Sequence, residues 1–292
     1  MIEVQGLVKS FEGQRVLQGV DLSIGPGERV ALVGQNGSGK TTLIRCLLGL
    51  YRHDGRVELD GVSARGERRR ALERVGFVPQ LPPGLRARVR DYLATLEAVS
   101  GTPPSAVATI AERLGLTLAP LERRRFSDLS GGMKQKLMIA AALSRQPSFL
   151  IMDEPGANLD PRSRAAFFEL LAETPPSTTM LLSSHRVDEI ADLVNRMVEL
   201  DHGRVVMDDI VAAGAGPDRA AQPLFVRLRV REASPSMEDA LREWGLASED
   251  ALAWMGRIAA GDRFRFLALL TRYAGLIEEI ELRAGAAPET SH

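Results

Sequence analysis

Residues Gly34 to Thr41 read GQNGSGKT and fit the pattern Gly-x-x-x-x-Gly-Lys-Ser/Thr. They follow a short apolar run, Arg29 to Val33, and precede a stretch of helical spacing, Lys40 to Leu50. Strand, glycine-rich loop and helix in that order make a cradle for phosphate. Gly34, Gln35, Asn36, Gly37, Ser38 and Gly39 turn backbone N–H groups inward, and the helix opened by Lys40, Thr41 and Thr42 adds its positive end. Lys40 then reaches the β- and γ-phosphates of a nucleotide, and Thr41 supplies a hydroxyl ligand to Mg²⁺.

A second group lies farther along. Phe149 to Glu154 reads FLIMDE, an apolar strand ending in two carboxylates. Adjacent residues of an extended chain point to opposite sides, so the two need not share a role. Asp153 is expected in the Mg²⁺ shell, and Glu154 is expected to polarise the water that attacks the terminal phosphate. The third group is Leu129 to Lys136, LSGGMKQK, where Ser130, Gly131 and Gly132 stand before a helical run from Met133 to Leu143. A helix start of this kind exposes N–H donors to an anion.

With these three motifs together, the chain resembles the ATP-binding-cassette (ABC) ATPases. Their signature is LSGGQ, and Met133 here replaces the usual Gln. The resemblance covers about residues 1 to 208. It implies an ATPase using ATP and Mg²⁺, and a homodimer in which Ser130, Gly131 and Gly132 of one subunit close over the γ-phosphate held by the other. It further implies that Phe11, in SFEGQRVL, stacks on adenine. Gln80, in GFVPQ, senses Mg²⁺ and the attacking water and is both a catalytic and a metal-site candidate. Asn158, Leu159 and Asp160 match the D-loop, and His185, in LLSSHR, matches the switch histidine. One departure is Gly156, in DEPGANLD, where the family usually carries threonine or another small polar residue.

The elements that must position these residues alternate strand and helix. Phe149 to Met152 and Thr178 to Leu182 are apolar runs suited to a parallel sheet buried on both faces. Between them Arg162 to Ala172 reads as a helix begun by Asp160 as cap and Pro161 at the first turn. The alternation argues for an α/β layer structure, and the resemblance implies a P-loop NTPase of the ABC type over residues 1–213. A helical subdomain is expected over about 82–145, a small, proline-bearing linker over 214–223, and a C-terminal α+β accessory domain over 224–292. In that last part Leu224 to Val230 and Ile277 to Leu282 read as strands, Met237 to Trp244 and Arg263 to Tyr273 as helices.

Composition bounds the partners. In 292 residues the formal net charge is -1, so no global field recruits nucleic acid or an anionic bilayer. Lysine is rare beside arginine, which makes the Arg65 to Arg74 and Arg123 to Arg125 clusters in part compositional. The lone Cys46 sits on an apolar helical stretch and reads as a small buried hydrophobe. The N-terminal MIEVQGLVKSF has no basic segment followed by an apolar one, and no run approaches the ~18 to 20 apolar residues that cross a bilayer. The chain is expected to remain cytoplasmic, bound peripherally to the inner membrane through separate transmembrane permease subunits.

Such subunits of exporter type, paired with ABC-2 permeases, are what the single cassette and small C-terminal part resemble. The alternative is a non-transporting cassette ATPase acting on nucleic acid or in protein-complex maturation. Neither the long coiled coil of repair members nor the second cassette of translation members is present in the sequence. Direct nucleic-acid contact is not expected, and a salt-dependent DNA-binding assay discriminates the two.

Overall fold

A computed structural model of the protein describes residues 1–184, 190, 193–210, 223–259, 262, 266–267, 269–270 and 273–284. Contacts divide the chain into two units, Met1–His185 with Val198–Asp208, and Arg186–Met197 with Asp209–His292.

The first unit is built on two sheets. The N-terminal one has the order β2-β1-β4 and is antiparallel, from β1 (Ile2–Phe11), β2 (Gln14–Ile24) and β4 (Asp54–Leu59). Its first two strands escape the sequence reading for a physical reason. Register shifts between Val4 and Leu7, Leu7 and Val8, and Lys9 and Ser10 break the period-two alternation on which such a reading depends.

The second sheet has the order β5-β6-β7-β3-β8-β9, from β3 (Arg29–Val33), β5 (Val75–Val78), β6 (Phe149–Asp153), β7 (Thr179–Ser183), β8 (Arg196–Asp201) and β9 (Arg204–Ile210). Strands β5, β6, β7 and β3 pair in parallel. Val30, Ala31, Leu32, Leu150, Ile151, Met152 and Leu181 are wholly buried, as strands covered on both faces must be. Burying each large aliphatic side chain contributes about 1.5–3 kcal/mol. That burial is what makes the strand ends rigid supports for polar groups.

Helices α1 (Lys40–Leu47) and α2 (Arg68–Leu72) follow β3 and β4. A helical segment then carries α3 (Val89–Ser100), α4 (Pro104–Arg113) and α5 (Gly131–Leu143). Helix α6 (Pro161–Ala172) begins with Asp160 as cap: Ser163 N donates to its Oδ1 at 3.0 Å and Ser163 Oγ to its Oδ2 at 2.7 Å. Those two bonds, helped by the Lys136 ammonium 3.1 Å from Oδ2, hold the Asp160 carboxyl far below the usual carboxylate range.

The second unit is a four-stranded antiparallel sheet of order β11-β12-β10-β13, from β10 (Leu224–Val230), β11 (Ala247–Ser248), β12 (Ala253–Ile258) and β13 (Ile277–Ala284). Helix α7 (Pro235–Glu243) joins β10 to β11, and the helical residues Phe266, Leu267, Leu269 and Leu270 precede β13. The β-α-β-β-α-β order makes this a split βαβ unit. Alternate β10 residues Leu224, Val226, Leu228 and Val230 are buried with Met237, Leu241, Trp254 and Phe266. Most of the linker expected over 214–223, and much of the helix expected over Arg263 to Tyr273, lie outside the described residues.

Candidate functional site

Three of the site's segments leave the C-terminal ends of parallel strands of one sheet. The phosphate-type loop follows β3, Gln80 follows β5, and Glu154 follows β6. In open α/β sheets that edge is where ligands bind. His185 follows β7 in sequence and lies outside the described residues.

The loop after β3 can only be built with glycine at its two ends. Gly34 has φ 140° and a Cβ there would stand 2.1 Å from Leu200 O; Gly39 has φ 109° and its Cβ would meet Leu17 Cδ2 at 2.9 Å. Gly39 also opens α1 without a side-chain cap, and the first backbone bond of that helix runs from Leu43 N to Gly39 O at 2.8 Å. The amides of Lys40, Thr41 and Thr42 belong to the first turn, whose donors have no partner within the helix. Gln35, Asn36 and Gly37 are exposed, Ser38 and Lys40 are buried, and Thr41 and Thr42 are half-buried. The Ser38 hydroxyl is buried with no hydrogen-bond partner among the described residues. A buried orphan oxygen in a glycine cradle is the mark of a site made for an outside polar group.

Lys40 lies across this cradle, donating from Nζ to Gly34 O at 2.7 Å and Gln35 O at 3.0 Å. Only 6% of the residue is exposed. Burial lowers its pKa, opposed by the negative charges of Glu154 and then Asp153. The ammonium thus stands in the field of both carboxylates at the end of β6.

Asp153 is buried as the last residue of β6, and its Oδ1 accepts from Ser183 Oγ at 2.8 Å. The same Ser183 hydroxyl accepts from Glu154 N at 2.9 Å. Glu154 itself has φ 43°, a left-handed conformation rare outside glycine, so the chain turns sharply between the two carboxylates. The Asp153 carboxylate and the Thr41 hydroxyl, the pair expected from sequence, are hard-oxygen donors of the kind that would suit Mg²⁺ when substrate phosphates complete its shell. Ser183→Ala is expected to cost about 1–3 kcal/mol, because a buried carboxylate loses its donor. It is also expected to slow turnover. Denaturant unfolding and phosphate release measure the two effects.

Gln80 joins the pair directly, donating from Nε2 to Glu154 Oε2 at 3.2 Å. Its own carbonyl accepts from Asn158 Nδ2 at 3.2 Å. Gln135, wholly buried on α5, donates from Nε2 to Pro155 O at 3.0 Å and Pro79 O at 3.4 Å. Lys40, Gln80, Asp153 and Glu154 are therefore one constellation. Ser183 and Gln135 belong to its framework and were not singled out from sequence. Ser183 follows the apolar run ending at Leu182, but it is one of two adjacent serines, and Gln135 stands between Lys134 and Lys136, so the local sequence marks neither as part of the site.

The other candidates stand apart from that constellation. Ser130 caps α5, its Oγ accepting from Met133 N at 3.2 Å, and among the described residues no hydrogen bond joins Ser130, Gly131 or Gly132 to the loop after β3. A Cβ on Gly132 would come within 3.2 Å of Asn158 O, whereas Gly131 faces open space. Phe11, at the end of β1, is 38% exposed, with the Lys9 ammonium 4.4 Å from its ring centroid and the Tyr51 ring edge-on at 5.2 Å. Gly156 is not forced by sterics, since a Cβ there would meet only Arg164 side-chain atoms at about 3.8 Å.

A glycine-cradled lysine beside a strand-end acid pair and a glutamine defines a P-loop nucleotide hydrolase. The family model for ABC transporters matches residues 17–157. A putative ABC transporter ATP-binding protein of Mycoplasma pneumoniae is 32% identical over 258 residues, 84% of this chain and 74% of that protein. The Nod factor export ATP-binding protein I of Paraburkholderia xenovorans is 36% identical over 220 residues, 73% of this chain and 71% of that protein. A solved ATP-binding subunit of an ABC transporter is 26% identical with a TM-score of 0.64, covering 72% of this chain and 90% of its own. The chain belongs to the ATP-binding subunits of ABC transporters. It binds ATP and is an ATPase.

Proposed function

We propose that this chain energises an exporter, working as a pair of identical subunits on the cytoplasmic face of the inner membrane beneath separate membrane-spanning subunits. The observation that carries the reading is the contact of Gln80 with Glu154 at the strand ends, in the electrostatic field shared with Lys40. The Nod factor export relative supports the export direction. Among the described residues no helix is long and apolar enough to cross a membrane.

In this reading the loop Gly34–Gly39 and the amides of Lys40, Thr41 and Thr42 hold the phosphates, and Lys40 exchanges its carbonyl partners for phosphate oxygens. Thr41, Asp153 and Gln80 are the residues that would hold Mg²⁺. When bound, Mg²⁺ neutralises charge on the terminal phosphates. Glu154 accepts a hydrogen bond from the attacking water and polarises it, Gln80 orients Glu154 and that water, and His185 contacts the γ-phosphate. Phe11 offers a ring face to adenine. Ser130, Gly131 and Gly132 present the N-terminus of α5 to the nucleotide of the partner subunit.

A cleft of about 290 Å³ is lined by Leu72, Phe77, Tyr92, Leu96, Met138 and Ala141 among others, none of them a residue of the constellation. Burial pushes the Tyr92 phenol up to about 12, against the opposing charge of Arg145, which with Arg68 also lines the cleft. Phe77 is three residues from Gln80 along β5 and its extension, and Leu81, just beyond, is 74% exposed. A cytoplasmic helix of the permease seated there would bear on Gln80. Co-expression with the membrane protein encoded beside this chain tests the partnership: co-purification with transport-stimulated phosphate release is expected, and failure of every adjacent membrane protein to bind contradicts it.

The C-terminal unit carries no group of the constellation and serves as a regulatory or dimer-stabilising accessory. Chain termination within residues 214–223 is expected to leave basal phosphate release within about threefold of the intact protein. A soluble, folded, inert truncation overturns this division of labour.

A further inference from the structure

Gln135 is the one wholly buried glutamine of α5, and its surroundings give it no packing reason to be polar. Its Oε1 is buried without a hydrogen-bond partner among the described residues. An orphan acceptor in the core destabilises a protein that a methionine of similar length would not. What the amide does accomplish is visible on its other atom. Nε2 donates to the carbonyl of Pro79, the residue before Gln80, at 3.4 Å, and to the carbonyl of Pro155, the residue after Glu154, at 3.0 Å. One N–H₂ group therefore straps together the two segments whose side chains meet at 3.2 Å. Both strap points lie just past the β5–β6 ladder, whose last pair is Val78 with Met152, so the amide extends the tie between these segments beyond the end of the sheet.

The helix that bears this amide begins at Gly131 and is capped by Ser130. Gln135 thus lies about one turn into the helix whose N-terminus faces the partner's nucleotide in the paired reading. Gly132 also packs against the backbone carbonyl of Asn158, whose side chain holds Gln80 O. Any shift of α5 reaches Gln80 by both routes.

We infer that Gln135 is a positioning residue that holds Gln80 and Glu154 at their working separation and makes that separation depend on α5, so that one subunit's catalytic pair responds to the nucleotide of the other. The second half of this inference rests on the pairing of subunits proposed above.

The test compares wild type, Gln135→Met and Gln135→His in the full-length chain, with Mg-ATP. Binding of Mg-ATP is measured by titration, and turnover as a function of ATP by phosphate release. Gln135→Met is expected to bind Mg-ATP within about twofold of wild type and to lose tenfold or more in kcat, with the Hill coefficient for ATP falling towards 1. Histidine can place its own Nε2–H near the position of the glutamine amide, so Gln135→His is expected to recover turnover above the methionine variant. This rescue answers a methionine variant that folds poorly, since a role in packing alone gives the histidine no advantage. A cooperative wild type beside an equally active and equally cooperative Gln135→Met overturns the role of Gln135. A wild type with a Hill coefficient of 1 at every protein concentration overturns the coupling together with the pairing on which it rests. A tenfold loss of kcat in that non-cooperative background still assigns Gln135 the positioning of its own pair.

Discussion

Lys40→Ala is expected to abolish measurable nucleotide binding while leaving the fold in place. In the structure the ammonium is spent on two backbone carbonyls, Gly34 O and Gln35 O, and it stands in the field of Glu154 and Asp153. Each hydrogen bond it makes to a charged phosphate oxygen contributes about 1.5–3 kcal/mol, so losing even one weakens binding by roughly 10- to 150-fold. Folding is affected less. The variant frees two carbonyls but also removes a charge whose burial is unfavourable, and these oppose each other. Titration with a fluorescent nucleotide checks the first expectation and thermal unfolding the second. An affinity equal to wild type removes the loop after β3 from nucleotide binding.

Glu154→Gln is expected to separate binding from chemistry. Glutamine keeps the size of the side chain but removes the negative charge that polarises water. Loss of a general base typically slows a reaction by about 10²- to 10⁴-fold. The glutamine can still pair with Gln80, amide to amide, so the loop geometry is expected to survive. The variant therefore binds Mg-ATP normally, turns it over at least a hundredfold more slowly, and accumulates as a closed dimer with ATP trapped between subunits. Size-exclusion chromatography with and without Mg-ATP reads the dimer. Near-normal turnover takes Glu154 out of catalysis, and an inactive variant that stays monomeric with ATP bound contradicts the composite site.

Much of this was legible in the sequence because the residues concerned obey local rules. Arg29 to Val33 and Leu224 to Val230 are strands with the expected bounds, and Asp160 caps α6 ahead of Pro161 as its type and position imply. Gly34 and Gly39 could be read because only glycine tolerates their positive φ and the contacts a Cβ would make. Other features were hidden for identifiable reasons. The antiparallel sheet of β1, β2 and β4 is interrupted by bulges that erase its alternation. Ser183 and Gln135 act through contacts 30 and 56 residues distant in sequence, to Asp153 and Pro79, and no local pattern reports a partner that far away. The sharp turn at Glu154 was also not readable, since a glutamate with φ 43° defies its own local preference and is held there by the Ser183 backbone and hydroxyl.

The most direct test of the account is the rate of phosphate release from Mg-ATP per molecule of purified chain, measured over a range of protein concentrations beside the Glu154→Gln variant. The account predicts saturable turnover that rises per molecule as concentration favours pairing and that falls at least a hundredfold in the variant. A folded chain that binds ATP yet releases phosphate at the same rate with and without the Glu154 carboxylate would contradict it.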